Sequence, residues 1–279
     1  NKAIFEKIEK NSIIENEDGW RQKYKNQNDQ EIILPSITEF PEHFRYYLSQ
    51  INQELSSAIR LVINALRWRI KMIGPHNPIS TRGLSWSRDK VFWHPAPLSH
   101  SIRVITVSST AHLSKEVSED VEKIIKSGTQ EPVHHELFRE AWEQRNGNGR
   151  SALIIGLSAL EVAVKTTIGT LIPDTNWLVE NVPSPPVYRL LIEYLPKLPV
   201  VNTEGGKVLP PPKTNMELIK KAVSIRNRIA HIGAKAPSDD TLDEILDAIR
   251  DTIWLLDYYC GHAWAYEHIS NATRQELES

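Results

Sequence analysis

The sequence predicts a mainly α-helical protein, and three observations support this. Apolar residues recur every three or four positions through most of the chain after residue 41, which is the spacing of one helix face. Stretches rich in proline and glycine separate these patterns and are typical of connections between helices. Residues 76–113 contain segments rich in β-branched and aromatic residues, and a small β-hairpin or sheet is expected there.

Two parts are expected, divided at the break from Gly128 to Pro132. Residues 1–130 should form an α-rich region with one long helix and the small β element. Residues 131–279 should form a four- or five-helix bundle. The chain has 279 residues, of which 40% are hydrophobic and 24% are charged, so it is long enough for one large or two ordinary domains.

Composition narrows the classes of function. The net charge of -2 argues against a globally basic nucleic-acid binder but leaves a local basic face open. The single cysteine, Cys260, can form no internal disulfide and belongs to no cysteine-rich zinc site. A single cysteine fits a reducing, cytoplasmic setting, and no secretory leader is visible at the start of the sequence. The apolar run Ala152 to Pro173 is interrupted by Glu161 and Lys165, which favours a bundle helix over a membrane span.

The first elements are a short helix from Ala3 to Lys10 and a loop-like stretch that ends near Pro35. A long helix should follow from residue 41 to residue 73 and end at Gly74-Pro75. At 1.5 Å per residue this helix would reach roughly 50 Å. Its apolar stripe then either meets a partner chain or packs within the molecule, and the sequence leaves both alternatives open.

The remaining elements are helices, apart from the β-favouring segments before residue 113. The last helix should begin with a capping box at Thr241 to Glu244. The helix before it should stop at Gly233. Residues 196–212 contain Gly205-Gly206 and three consecutive prolines, so an irregular connection is expected there. The predicted helices span residues 114–126, 134–144, 150–171, 186–194, 215–232 and 241 onwards.

The candidate site lies at the end of the helix over residues 215–232, where Arg226, Asn227 and His231 follow one another closely. Metal-free cleavage of an RNA phosphodiester needs a cation for the phosphate and a group that titrates near neutrality. At 100° per residue, Arg226 and His231 point about 140° apart, so a site requires an unwound helix end or two copies of the motif. The alternative is a pair of cations that stabilises the last helix carbonyls.

The stretch Ser224 to Gly233 resembles the HEPN superfamily, helical bundles that carry an arginine, usually a polar residue after it, and a histidine four to six residues further on. Ser158-Ala159-Leu160-Glu161 is similar to the family's earlier core helix, in which an acidic residue often faces the motif. The resemblance covers about residues 132–268. It implies a metal-independent endoribonuclease that acts as a homodimer without a cofactor and leaves a 2′,3′-cyclic phosphate.

The resemblance also implies a role for each residue. His231 would be the acid/base group, Arg226 would bind the phosphate, and Asn227 would orient either of them. Glu161 would hold Arg226 through a charge-assisted hydrogen bond, although an ordinary helix salt bridge to Lys165 is the alternative. Many catalytic members are toxins or abortive-infection proteins in antiviral defence, so an antitoxin or regulatory partner protein is a further expectation. The rival interpretation is a catalytically silent RNA- or nucleotide-binding or scaffold module.

A basic stretch runs from Arg60 to Trp93, from the long helix into the β-favouring segments. Basic side chains neutralise phosphates and aromatic rings stack on unpaired bases, so this region is a candidate RNA-docking surface. Its aromatic residues, which include Trp68 and Trp86, could equally belong to the core. His134-His135 lacks metal-ligand spacing, so we expect no metal there and a solvated face instead. The candidate RNA-binding residues are Arg67, Arg69, Lys71, Arg82, Arg88, Lys90 and, beside the motif, Arg228.

Overall fold

The structure is a computed structural model that describes residues 2–3, 21–25, 31–35, 41–73, 85–87, 89–91, 94–95, 113–181, 186–203 and 206–278. Within these residues the protein is mainly helical, as the sequence predicts. Contacts divide the chain into an N-terminal unit, Asn1–Val62 with Ile79–His112, and a C-terminal unit, Ile63–Pro78 with Leu113–Ser279. This division differs from the predicted boundary at residue 131, because the end of the long helix and the segment from residue 113 pack within the C-terminal unit.

The N-terminal unit contains two pairs of antiparallel strands. Strand β1, Arg21–Lys25, pairs with β2, Glu31–Pro35, so the loop-like stretch predicted here is wrong for these two segments. The run Ile32-Ile33-Leu34 favours a strand, and a polar stretch of five residues joins the two strands. Strands β3, Ser85–Trp86, and β4, His94–Pro95, are only two residues long. The larger β element predicted up to residue 107 and the helix from Ala3 to Lys10 lie almost wholly outside the described residues.

Helix α1, Glu42–Arg69, is the long helix that the apolar stripe predicts. Its 28 residues span about 42 Å rather than 50 Å. The stripe is buried near the start of the helix, where Phe44 is 0% exposed, and near its end, where Trp68 is 0% exposed. Between them Leu55, Ile59 and Val62 are 40–47% exposed. A partner for this middle part stays a prediction.

Helix α1 ends five residues before the predicted Gly74-Pro75 stop. Lys71 takes the left-handed conformation, with φ of 53°. The Met72 N–H then donates to the Arg67 carbonyl at 2.9 Å, which closes a helix-ending turn. The Lys71 ammonium also donates to the His268 carbonyl at 2.6 Å, so a tertiary contact fixes the turn.

The C-terminal unit is built around two long, buried helices. Helix α4 packs against α3, α7 and α8, and α8 also packs against α7 and against the turn after it. In sequence order the helices are α2, Lys115–Lys126; α3, Val133–Gln144; α4, Gly149–Leu171; α5, Asn176–Asn181; α6, Val187–Arg189; α7, Lys213–Ile232; α8, Asp239–Tyr259; and α9, Asn271–Glu278. Helix α6 continues as a π-turn, Leu190–Tyr194, and a 3₁₀ turn, Leu195–Lys197; a 3₁₀ helix, Ala263–His268, separates α8 from α9.

Helix α4 is the most apolar of these helices. Among the described residues it alone is long and apolar enough to cross a membrane, but 56% of its most apolar stretch is buried by the rest of the protein. A Cβ atom added at Gly156 would lie 2.8 Å from Leu246 Cδ2 and 3.7 Å from Ala141 Cβ. Glycine therefore allows α4 to approach α8 and α3 closely. The burial is that of a core helix.

Helix α8 begins earlier than predicted. Its N-cap residue is Ser238, with extended φ and ψ of -61° and 156°, and the Leu242 N–H donates to the Ser238 carbonyl at 2.8 Å. The capping box predicted at Thr241 is wrong, because Thr241 already lies in the first helical turn and accepts a hydrogen bond from the Ser238 hydroxyl at 3.1 Å. At the other end Cys260 follows the helix, and burial raises the pKa of its thiol to about 11.

Candidate functional site

The predicted motif occupies the last two turns of α7. This helix ends at Gly233, which has φ of 64° in the left-handed region, so the predicted stop is confirmed. The Gly233 N–H donates to the Ile229 carbonyl at 3.0 Å. Ile229 is buried and anchors this end of the helix on the core. Arg226, Asn227 and His231 are therefore held on one regular helix.

Arg226 forms an ion pair with α4. Its Nη2 donates to Oε1 of Glu161 at 2.9 Å. The two side chains are 29% and 23% exposed, so the pair is partly shielded from water. The Nε of Arg226 is buried and makes no hydrogen bond to any residue that the structure describes. The contact predicted between Glu161 and Arg226 is thus present. The Nε–H group of Arg226 has no hydrogen-bond acceptor among the described residues.

The other residues of the motif face solvent. Asn227, Arg228 and His231 are exposed, and the following Ile232 is 72% exposed. No hydrogen bond or ion pair joins His231 to another residue of the described part of the chain. One copy of the chain thus holds the arginine against Glu161 and presents the histidine separately.

The candidate RNA-docking residues do not share one exposed face. Arg67 and Arg69 are each only 3% exposed, so an exposed docking surface is wrong for these two. Arg69 donates to Asp120 at 2.8 Å and its guanidinium lies 5.3 Å from the Trp264 ring centroid. A buried arginine needs such a partner.

The remaining candidates divide between the surface and the undescribed part of the chain. Trp68 belongs to the core, which was the alternative for the aromatic residues. Lys71 is half-buried and Lys90 is exposed. Arg82 and Arg88 lie outside the described residues.

A buried polar cluster joins α3 and α8, and sequence reasoning missed it. His134 Nε2 lies 3.2 Å from Asp257 Oδ1, and His135 Nε2 lies 2.7 Å from Asp257 Oδ2. The Trp68 indole N–H donates to the same Oδ2 at 2.8 Å. The two histidines are 1% and 4% exposed, so the solvated face expected for them is wrong. Helix α3 turns both inward onto a carboxylate that lies more than 120 residues further along the chain.

The cluster shifts the pKa of its members. Burial by itself would raise the pKa of Asp257, but the electrostatic effect of His135 and the hydrogen bonds with both histidines hold that pKa well below its usual range. Burial lowers the pKa of His134, against the opposing effect of its hydrogen bond to Asp257. Asp257 is therefore an anion at neutral pH, held by three N–H groups.

The same cluster offers three ligand atoms that lie within 4.8 Å of one another, so it could in principle hold a metal ion. An indole N–H cannot ligate a metal, and it already occupies one carboxylate oxygen at 2.8 Å. His134 Nδ1 is buried without a hydrogen bond to the described residues. The contacts are those of a hydrogen-bonded core network, and the absence of a resident metal stays a prediction.

Comparisons of the whole chain with protein-family models, with curated proteins and with solved structures give no match.

Proposed function

We propose that the protein is a metal-independent endoribonuclease of HEPN type, with residues 131–279 as a HEPN-like bundle. The observation that carries this proposal is the contact between Arg226 on α7 and Glu161 on α4. The contact joins the two segments on which the family resemblance rests. A carboxylate that accepts a hydrogen bond from one N–H group of a guanidinium orients the guanidinium plane. The other N–H groups remain able to donate to a phosphate.

In the proposed reaction the ribose 2′-oxygen attacks the adjacent phosphorus, and the bond from phosphorus to the 5′-oxygen breaks. The products are a 2′,3′-cyclic phosphate and a 5′-hydroxyl. His231 accepts the proton of the 2′-hydroxyl, and a second, protonated His231 donates a proton to the leaving 5′-oxygen. Arg226 offsets the charge that grows on the phosphate, and Asn227 orients the phosphate or the imidazole.

A homodimer supplies the second histidine. Arg226 is turned towards Glu161 while His231 faces solvent, so one copy supports half of the chemistry. Ile232 lies next to His231 and exposes 72% of its surface, so it offers an apolar contact to a second copy. A two-fold axis at this end of α7 would bring two motifs into one cleft.

The proposed setting is cytoplasmic, with RNA as the substrate. In the proposed cytoplasmic setting, the enzyme acts in antiviral defence by abortive infection. Alternatively, it acts as a toxin that is restrained by an antitoxin or regulatory protein. The N-terminal unit would recognise the substrate or restrain activity. Of the candidate RNA-binding residues, Lys90 in the N-terminal unit and Arg228 beside the motif suit contact with RNA best because both are exposed.

The second candidate function is a catalytically silent RNA- or nucleotide-binding or scaffold module. The observation that favours it is the exposure of Asn227, Arg228 and His231 on one helix end while Arg226 is engaged by Glu161. Such a surface can bind a phosphate backbone without turnover.

Cleavage of mixed RNAs in EDTA distinguishes the two functions. We expect the wild-type protein to cleave and to leave 2′,3′-cyclic phosphate ends. The variants Arg226→Ala and His231→Ala should each lose at least about 100-fold in rate, because each removes a group that acts in the transition state. The measurement is a time course on denaturing gels with end-group analysis.

Matched controls are Arg189→Ala and His43→Ala, which remove an exposed arginine and an exposed histidine that do not belong to the motif. Both should cleave at the wild-type rate, and circular dichroism should show that all four variants are folded. Persistent cleavage by either motif variant would contradict the assignment. Binding of RNA without cleavage by the wild-type protein would favour the silent module.

A further inference from the structure

Four basic side chains are among the residues that line a small cavity in the C-terminal unit. It lies between the end of α1, α3 and α8 and has a volume of about 20 Å³. No carboxylate is among the described residues that line it. Its polar wall consists of Arg67, Lys71, His135, Arg139 and Arg250, and apolar side chains complete it.

Neighbouring groups hold these cations in place. Arg139 donates from Nη1 and Nη2 to the two oxygens of Glu131, at 2.5 and 2.6 Å. Arg250 pairs with Asp247 at 2.6 Å. These carboxylates do not line the cavity, so the cations are fixed by contacts outside it. The Nε of Arg250 is buried and makes no hydrogen bond to a residue in the described part of the chain.

The basic side chains also act on one another electrostatically, and nearby carboxylates such as Glu131 and Asp251 offset part of this effect. Burial and then the charge of Arg139 lower the pKa of Arg67. Burial and then the charge of Arg250 lower the pKa of Lys71. Like charges in a poorly solvated wall repel, and a bound anion would offset that repulsion.

Lys71, which lines the cavity, has a left-handed backbone conformation. Its φ of 53° is a conformation that glycine adopts at no steric cost, yet a lysine stands there and ends α1. The side chain reaches the cavity wall and also donates to the His268 carbonyl. A strained residue at a ligand site is a recurring pattern in proteins.

We propose that this cavity binds a terminal phosphate group, carried by a mononucleotide or by an RNA end. The enclosed space holds roughly one or two water-sized atoms, so one or two phosphate oxygens enter and the ester remains at the open mouth. Four cations give the donors that a phosphate dianion requires. The lining includes no residue of α7 and neither Arg226 nor His231, so this inference does not rest on the proposed ribonuclease activity.

Inorganic phosphate is the first probe. We expect 10 mM phosphate to raise the Tm of the full chain by about 3 to 6 °C if its Kd is near 1 mM. Sodium chloride at the same ionic strength should leave the Tm nearly unchanged. Isothermal titration calorimetry provides the second measurement, with one site per chain expected. No binding by either method would overturn the proposal.

Lys71→Gly tests the site most directly. It removes one basic side chain, and glycine adopts the left-handed conformation of this position at no steric cost. Its matched control is Lys90→Gly, since Lys90 also has positive φ, of 62°, but is exposed and does not line the cavity. We expect Lys71→Gly to weaken phosphate binding at least about tenfold and Lys90→Gly to bind like the wild type. Lys71→Gln, with Lys90→Gln as its control, repeats the comparison without the change to glycine. Wild-type affinity in both Lys71 variants would refute the site.

Further titrations distinguish the two sources of phosphate. Adenosine 5′-monophosphate is compared with adenosine, and a 5′-phosphorylated hexanucleotide RNA with its 5′-hydroxyl form. The RNA titrations use the His231→Ala protein, so that cleavage cannot alter the ligand. Tighter binding of either phosphorylated member, lost in Lys71→Gly, supports the proposal and identifies the source. Equal binding of both members in both pairs would contradict it.

Discussion

Asp257 shows at the scale of one residue how this fold accommodates a buried charge. Three N–H groups, from Trp68, His134 and His135, reach its two oxygens at 2.7 to 3.2 Å. Together they offset the cost of removing a carboxylate from water. The residue links the end of α1, α3 and α8, so it acts as a structural anchor for the C-terminal unit.

Replacing Asp257 with asparagine should lower the free energy of unfolding by about 3 kcal/mol. An amide has one acceptor oxygen, and its NH₂ group would face a buried histidine N–H, so at least one donor loses its partner. Urea unfolding followed by circular dichroism measures the change. Asp243→Asn on the same helix is the control, because that side chain is 52% exposed and should matter little. Equal stability of the Asp257 variant and the wild type would show that the network is not an anchor.

At the same scale, the sequence could predict some residues and not others. Gly233 was predictable because a glycine after the last apolar position is a local signal. The contact of Glu161 with Arg226 came from the family resemblance, since the spacing within α7 says nothing about α4. The His134-His135 cluster carries no local signal, because its partner Asp257 lies on another helix.

At the scale of elements, the crossing of α4 with α8 and α3 depends on Gly156. A valine there should lower the free energy of unfolding by at least about 2 kcal/mol, because its Cβ alone would lie 2.8 Å from Cδ2 of the buried Leu246. Thr170→Val places the same residue on an exposed position of α4 and should change stability by less than about 0.5 kcal/mol. Urea unfolding of the two variants tests this. A wild-type midpoint for Gly156→Val would mean that the helices can separate at no cost.

Helix boundaries show why some elements could be predicted only approximately. The periodicity of α1 was clear, but its end depends on Lys71 in a left-handed turn held by His268, a contact with a distant part of the chain. The start of α8 was misjudged because Ser238 and Thr241 both suit an N-cap, and only the backbone shows which residue is extended. Burial of Arg69 was equally hidden, since its partner Asp120 lies on α2.

At the scale of the whole molecule, the proposed activity depends on two copies meeting at the end of α7. Ile232→Lys should weaken self-association at least about tenfold and reduce cleavage in parallel, because it places a charge in an apolar contact. Thermal stability should be unchanged, since Ile232 is 72% exposed in the single chain. Analytical ultracentrifugation over a range of concentrations measures the association.

Val133→Lys is the matched control, because Val133 is also an exposed apolar residue, 60% exposed, at the start of α3. It should leave both association and cleavage unchanged. A wild-type chain that stays monomeric at all concentrations yet cleaves RNA would contradict the shared site.

The mainly helical class was predictable at the scale of the whole molecule from apolar spacing alone. The grouping of the end of α1 with the C-terminal unit was not predictable, because it follows from buried contacts such as that of Trp68 with Asp257.

The partial burial of Cys260 makes the alkylation of its thiol a measure of solvent access at the end of α8. Only a thiolate reacts readily with alkylating reagents, and a thiol with a pKa of about 11 is almost entirely protonated at neutral pH. Because the sequence holds one cysteine, every labelling event reports on the same position at the end of α8. An increase in the rate of alkylation would therefore report greater exposure of this end of the core.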